Sequence, residues 1–418
     1  MEQETILKPL TILHSFERFV HQRSKRVERR FRRVSSFLVL YLSLQAELGL
    51  AWDRNWHDYL GRDQFWILPH ILIYTGLGGA GLVALIVVLV DSVRYAGRKL
   101  GVDETSTIPI LRIFHAPLGF VIIGWGTFVD LAAAPLDNYW HELYGIDVTL
   151  WSPFHIMGTI GGLLAGIGIL YIFASEAAIE RDRIDTVPSN RWFPGLSAPD
   201  WGALIIFAAF LELTLPALTA FVPFMLGTWQ FVSYPLPLAC AAGFCLVGSV
   251  QLTRQPGSAT LTAMILWIAA LLTQGFVPYA LRFAESWYDL SLRPGVEVPV
   301  FNVTLALLPA TFLIDAILID GIYFWQRRQH RLRDAPLRGS WLPGALIALP
   351  LMFFPVLLVM GLSHLGIPIP LQKDIVLAFS IEPTINNMLL TLPLALVVGA
   401  GGALLGSALG DIWYWSKR

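Results

Sequence analysis

Two short stretches of the chain bring histidine and carboxylate together at spacings that could hold a metal ion. The first, "DRNWHDYLGRDQFWILPH", covers residues 53–70, and the second, "DNYWHELYGIDVTLWSPFH", covers 137–155. Aligned without gaps, Asp53 pairs with Asp137, Trp56 with Trp140, His57 with His141, Asp58 with Glu142, Gly61 with Gly145 and Asp63 with Asp147. One inserted residue then sets Pro69-His70 against Pro153-Phe154-His155, and Gly76 against Gly161. In each copy Asp-x-x-x-His puts two side chains one turn apart on one helix face, provided the helix extends through the motif. The turn after Gly61 or Gly145 brings the chain back, the Pro-His step opens the next helix, and the second histidine comes to face the first pair.

Two imidazoles and a carboxylate suit a borderline cation such as Cu(II), Zn(II), Fe(II) or Mn(II), whereas Cu(I) favours sulfur donors. Only seven methionines occur, none clustered near these histidines. The candidate ligands are therefore Asp53, His57 and His70 in the first copy and Asp137, His141 and His155 in the second. Two other readings stay open. Tryptophan and histidine, each with an apolar body and a polar tip, are at home at a membrane interface without further duty, and the same set could serve a metal-free substrate or proton site. The spacing favours a metal, since a purely structural turn accounts for the glycine and the proline but not for two histidines and an aspartate in each copy.

The elements that must position these residues are membrane helices. Hydrophobic residues make up 55% of the 418 and charged residues only 14%, well below the quarter usual in soluble domains. Stretches near the 20 residues needed to cross a bilayer occur at roughly 35–52, 65–90, 109–133, 152–178, 201–223, 232–253, 259–282, 299–325, 341–363 and 385–413. An all-α polytopic bundle of about ten helices is expected. Helices one and two repeat as three and four in the same orientation, a parallel duplication that packs about an axis along the membrane normal. The domains read as a basic arm over 1–34, a duplicated four-helix metal-binding unit over 35–180 and a second bundle of about six helices over 201–418.

The arm carries "RSKRVERRFRR", with Phe16, Phe19, Val20 and Val27 interleaved as in an amphipathic surface helix, and nothing in it resembles a secretory signal. With this arm cytoplasmic, the even connections "RYAGRK", "ERDRID", "TRQ" and "QRRQHRLRD" and the terminal "SKR" all fall inside and all are basic, as cytoplasmic segments should be. Both motifs then face outward, in a bacterial inner-membrane protein with cytoplasmic termini. The expected partners are the lipid bilayer and either further copies or other membrane proteins. A net charge of −1 and the lack of phosphate-loop or zinc-finger spacing give no sign of nucleic acid.

The second copy, "DNYWH" followed by "WSPFH", resembles the copper-ligand motif of the membrane-bound methane and ammonia monooxygenases, an Asp-x3-His followed by a histidine after a proline-containing step. The resemblance covers some twenty residues per copy, and the ten-helix length and the duplication depart from the monooxygenase chain that carries the motif. It implies copper, with Asp137, His141 and His155 as ligands and, through the repeat, Asp53, His57 and His70. The chain is equally similar to a wider class of bacterial polytopic membrane proteins carrying Trp-His, Gly-x-Asp and Ser-Pro-x-His in this order. Two functions follow as expectations: a copper monooxygenase-like enzyme, or a permease that takes in a metal through the same residues.

Other polar residues lie within apolar runs. Glu47 and Asp130 precede the two motifs on the same helices and could accept from the imidazole N–H groups, as metal-bound histidine usually requires; pairing with a buried Tyr or Trp is the alternative. His115, in helix three, reads as a core histidine. Glu212, Asp315 and Asp320 mark the second bundle and would line a permease route, although Asp315 and Asp320, five apart, point to different faces. His364, Glu382, Asn386 and Asn387 read as a solvated loop cluster, and Cys240 and Cys245 as inert packing residues.

Overall fold

The computed structural model describes the backbone of residues 3–60, 65–97, 107–145, 152–184, 195–218, 223–295, 297–298, 301, 303–330, 336–367 and 381–414; the side chains of 3–26, 182–184, 218, 223, 304, 330 and 381–384 are not described. The chain is all-α apart from two short β-hairpins. The helices are α1 (Gln3–Tyr59), α2 (Leu68–Ala96), α3 (Leu118–Tyr144), α4 (Pro153–Ile184), α5 (Ala198–Glu212), α6 (Pro235–Thr253), α7 (Ser258–Tyr288), α8 (Val303–Leu307), α9 (Thr311–His330), α10 (Trp341–Leu346), α11 (Ala348–His364) and α12 (Ile381–Trp413). Among the described residues, ten spans are long and apolar enough to cross a membrane, α8 with α9 and α10 with α11 each making one. The protein is a multi-pass membrane protein, and helices suit it because in hydrocarbon every backbone N–H and C=O must find its partner within the protein.

Two local expectations change. Residues 109–117 do not begin helix three. They form most of the antiparallel hairpin β1 (Thr107–Ile110) and β2 (Phe114–Pro117), closed through Leu111 and Arg112 at positive φ, and α3 starts only at Leu118. Pro109 and Pro117 explain the shift, because each lacks the N–H that a helix interior needs. His115 accordingly sits in β2, stacked on Tyr95 with ring centroids 3.7 Å apart, and not in a helix. The basic stretch is helical and continuous with the first span, α1 running unbroken from Gln3 to Tyr59.

The described chain divides into two compact units. The first comprises Met1–Gly49 and Gln64–Glu176. Within it α3 and α4 approach backbone to backbone through glycines: a β-carbon on Gly126 would lie 2.6 Å from the Gly161 carbonyl oxygen, and one on Gly161 would lie 2.8 Å from the Asp130 nitrogen. Small residues at such crossings are how membrane helices gain close contact where no hydrophobic drive exists. At the far end from the motifs, Arg32 of α1 is buried in an ion cluster, its Nε 2.9 Å from Asp91 and its Nη2 2.6 Å from Glu28. Arg94 approaches Glu28 at 3.9 Å, and Arg33 approaches Glu176 at 3.7 Å.

The second unit comprises Leu50–Asp63 and Ala177–Arg418. Here the last turns of α1 lie on α7, with Trp52 against Phe276, Trp56 against Tyr288 and the Arg293 N–H donating to the Tyr59 carbonyl at 2.9 Å. α6 and α12 pack through Gly402 and Gly406, where any β-carbon would collide with the carbonyls of Cys240 and Phe244. Ser197 and Asp200 form a reciprocal capping box at the start of α5, the arrangement that satisfies two otherwise orphaned amides.

Candidate metal centre

The second motif lies wholly in the first unit, and the chain fixes its three side chains from two helix ends. α3 continues through the motif to Tyr144 and stops at Gly145, whose φ of 87° only glycine adopts without strain. Asp137 and His141 therefore share one face of its last two turns. α4 opens with Pro153 in its first turn, a position where the missing N–H costs nothing. Ser152, 3% exposed, accepts from the His155 N–H at 3.3 Å in the manner of an N-terminal cap. This hydroxyl was not among the residues that types and spacing single out, although Ser before Pro at a helix start is a sequence-readable cap signal.

Held in this way, the three groups converge. Oδ2 of Asp137 lies 3.3 Å from Nε2 of His155 and 3.8 Å from Nε2 of His141, and the two imidazole rings stand nearly perpendicular with centroids 5.8 Å apart. One ligand atom from each of Asp137, His141 and His155 lies within 4.8 Å of the others. Ligand atoms about 2.0–2.1 Å from one tetrahedral ion sit roughly 3.3–3.4 Å apart; the Asp137–His155 separation matches this and the Asp137–His141 separation exceeds it by about half an ångström. The other carboxylate oxygen, Oδ1 of Asp137, is buried and has no hydrogen-bond partner among the described residues. A buried carboxylate oxygen left so is costly, and a cation between the groups would relieve it. The residues present fit a divalent transition metal.

The surroundings are aromatic on one side and open on the other. Trp140 packs on Tyr144 and Phe154, with centroids at 4.3 and 5.9 Å. The His155 side chain keeps 29% of its surface exposed and Asp137 keeps 21%, against 9% for His141. Ion access is therefore from the His155 side.

Comparison with protein-family models, with curated proteins and with solved structures finds no match.

The first motif's residues of metal-ligating type are divided between the units, Asp53 and His57 in the second and His70 in the first. In the second unit, Asp53 Oδ2 lies 3.6 Å from His57 Nε2 near the end of α1, and Trp56 beside them is 1% exposed. In the first unit, His70 stands three residues after the N-terminal cap Ile67 of α2, as His155 stands three after Ser152. Its Nδ1 lies 3.3 Å from the Phe65 carbonyl oxygen; a carbonyl can only accept, so Nδ1 is the donor in this contact. Gly61, Asp63 and Asp147, which enter the alignment of the two stretches, lie outside the described residues.

Glu47 is half-buried on α1. Asp130 lies against the glycine face of α4, where β-carbons on Gly158 and Gly162 would be 3.2 and 3.6 Å from its two carboxylate oxygens. It is seven residues from Asp137, roughly 10 Å along the helix axis, and so beneath the three ligand groups rather than among them. In the second unit, Asp320 accepts from the Thr260 N–H at 2.8 Å and the Thr260 hydroxyl at 2.7 Å at the start of α7, and Glu212 accepts from the Thr273 hydroxyl at 3.4 Å. Asp315 is fully buried. His364 and Asn386 are exposed and Asn387 is half-buried, while the side chain of Glu382 is not described. Cys245 is buried and Cys240 exposed on α6.

Proposed function

We propose that the protein is a membrane metalloprotein that binds copper through Asp137, His141 and His155 and, by the internal repeat, through Asp53, His57 and His70. The observation that carries this reading is the single carboxylate oxygen of Asp137 placed 3.3 and 3.8 Å from two imidazole Nε2 atoms. Copper is preferred among borderline cations because Cu(II) binds a nitrogen and oxygen donor set most strongly in the divalent series, and the set offers no sulfur to favour Cu(I). The resemblance of "DNYWH" and "WSPFH" to the monooxygenase motif supports the same choice.

Asp137, His141 and His155 supply three ligands, the number that leaves one position open for water or a small substrate. A metal there would contribute Lewis-acid or redox chemistry. The chain's own part is to orient: the α3 end sets Asp137 and His141 one turn apart, the Ser152 cap fixes the start of α4, and Trp140 packs against Phe154 across the two helix ends. An oxidative, monooxygenase-like enzyme follows most directly from a site with an open position. The rival, a permease, needs polar groups beyond the site; Asp320 and Glu212 are engaged in hydrogen bonds, whereas both carboxylate oxygens of Asp315 are buried without a hydrogen-bond partner among the described residues.

Copper(II) added to the full-length protein is expected to give an electron paramagnetic spectrum with coupling to imidazole nitrogen, simplified by one nitrogen in His155→Ala. A spectrum of hydrated copper, without nitrogen coupling, would sink the reading. The basic connections support a proposed orientation with both groups on the extracytoplasmic side of a bacterial inner membrane and both termini inside. A reporter fused after Arg62 is then active only if it is one that works outside the cytoplasm; activity of a cytoplasm-only reporter at that position would reverse the orientation.

A further inference from the structure

The second unit holds a carboxyl group that nothing in the packing accounts for. Asp315 of α9 has 0% exposure, and both of its carboxylate oxygens are buried without a hydrogen-bond partner among the described residues. Asp320, five residues on, shows what a satisfied acid on this helix looks like, with the amide and hydroxyl of Thr260 bonded to it. The elements packed on α9 are α6, α7, α10, α11 and the 3-10 turn Leu308–Ala310. They bring no counter-charge: α6 and α10 contain no charged residue, α7 none from Ser258 to Leu281, and α11 none from Ala348 to Ser363. The ionisable groups in those stretches are the Cys240 and Cys245 thiols of α6 and Tyr279 of α7. On α9 itself the nearest cation in sequence is Arg327, about three turns away. A lone carboxylate charge in such surroundings is costly and marks function by default, and a leucine there would be more stable.

A second feature stands beside it. The span is not a continuous helix, for α8 ends at Leu307, the 3-10 turn with Pro309 intervenes, and α9 begins at Thr311, one turn ahead of Asp315. A 3-10 stretch inside a helix often marks a hinge, and this one lies in the first turns of the span Leu305–Gln329. Of the possible counter-ions, a proton alone needs no further ligand.

We infer that Asp315 is a proton-binding site, which takes a proton from water and returns it as the break at Leu308–Ala310 flexes, giving the second unit a proton-linked function. The metal groups play no part in this inference. The test is the acid-minus-base infrared difference spectrum of the full-length protein in lipid nanodiscs, with aspartate carboxyls labelled by carbon-13. The expected result is a carbonyl band of a protonated carboxyl that shifts with the label and in heavy water, persists in Asp320→Asn and is lost in Asp315→Asn. In Asp315→Glu the band returns without the isotope shift, which keeps the test open should Asp315→Asn fold poorly. A band unchanged in both Asp315 variants, no such band at all, or one indifferent to bulk pH and heavy water, as from a sealed structural acid, would overturn the inference.

Discussion

His155→Ala is expected to lower copper affinity at the second group by more than the roughly 10–100-fold that loss of an outer hydrogen-bond partner costs a metal site. It removes a ligand, and the one whose Nε2 lies closer to Asp137 Oδ2, 3.3 Å against 3.8 Å for His141. His141→Ala should act similarly. Asp137→Asn should cost less, because its amide oxygen or a water can take the vacated place. Competition titration against a chelator of known affinity reads all three. Equal affinity in His141→Ala, His155→Ala and the parent would mean that these histidines are interface residues only. Because Asp137, His141 and His155 already make a complete set of three, His57→Ala should leave this group loaded; loss of both ions from that one substitution would indicate a shared two-metal centre.

Arg32→Ala is expected to destabilise the protein by about 3–5 kcal/mol, the cost of stripping a buried ion pair of one partner. Glu28 and Asp91 are 1% and 2% exposed, and Arg32 sits between them at 2.6 and 2.9 Å. Without it, Asp91 is left buried beside no other ion-pair partner within 4 Å among the described residues, while Glu28 retains Arg94 at 3.9 Å. Unfolding in mild detergent, compared between Arg32→Ala, Asp91→Ala and the double variant, measures the coupling directly. An unfolding midpoint equal to that of the parent would contradict the cluster.

The sequence reading and the structure meet most closely where pattern repeats. Ten apolar stretches became ten spans because hydrocarbon leaves the backbone little choice but helix, and Asp137, His141 and His155 met because i, i+4 spacing, a glycine stop and a proline start are all local rules. What composition hid was pairing over distance. Arg32 reads as one more arginine in a basic arm, yet it turns inward to Asp91, 59 residues away. His115 was misplaced because an apolar run reads the same in a hairpin as in a helix start, and only Pro109 and Pro117 argued otherwise. Asp320, which reads in sequence as one acid of a permease route, accepts from the Thr260 N–H and hydroxyl at the start of α7, a partnership set by tertiary packing. Asp315 was visible as an acid in an apolar run, whereas its lack of a partner was not.

The most direct test of the metal reading is elemental analysis of the purified full-length protein beside a variant lacking His57, His70, His141 and His155 together. The parent should carry one or two equivalents of metal, copper first, and the fourfold variant, folded and in the same detergent, should carry none. Metal content undiminished in the fourfold variant would contradict the account.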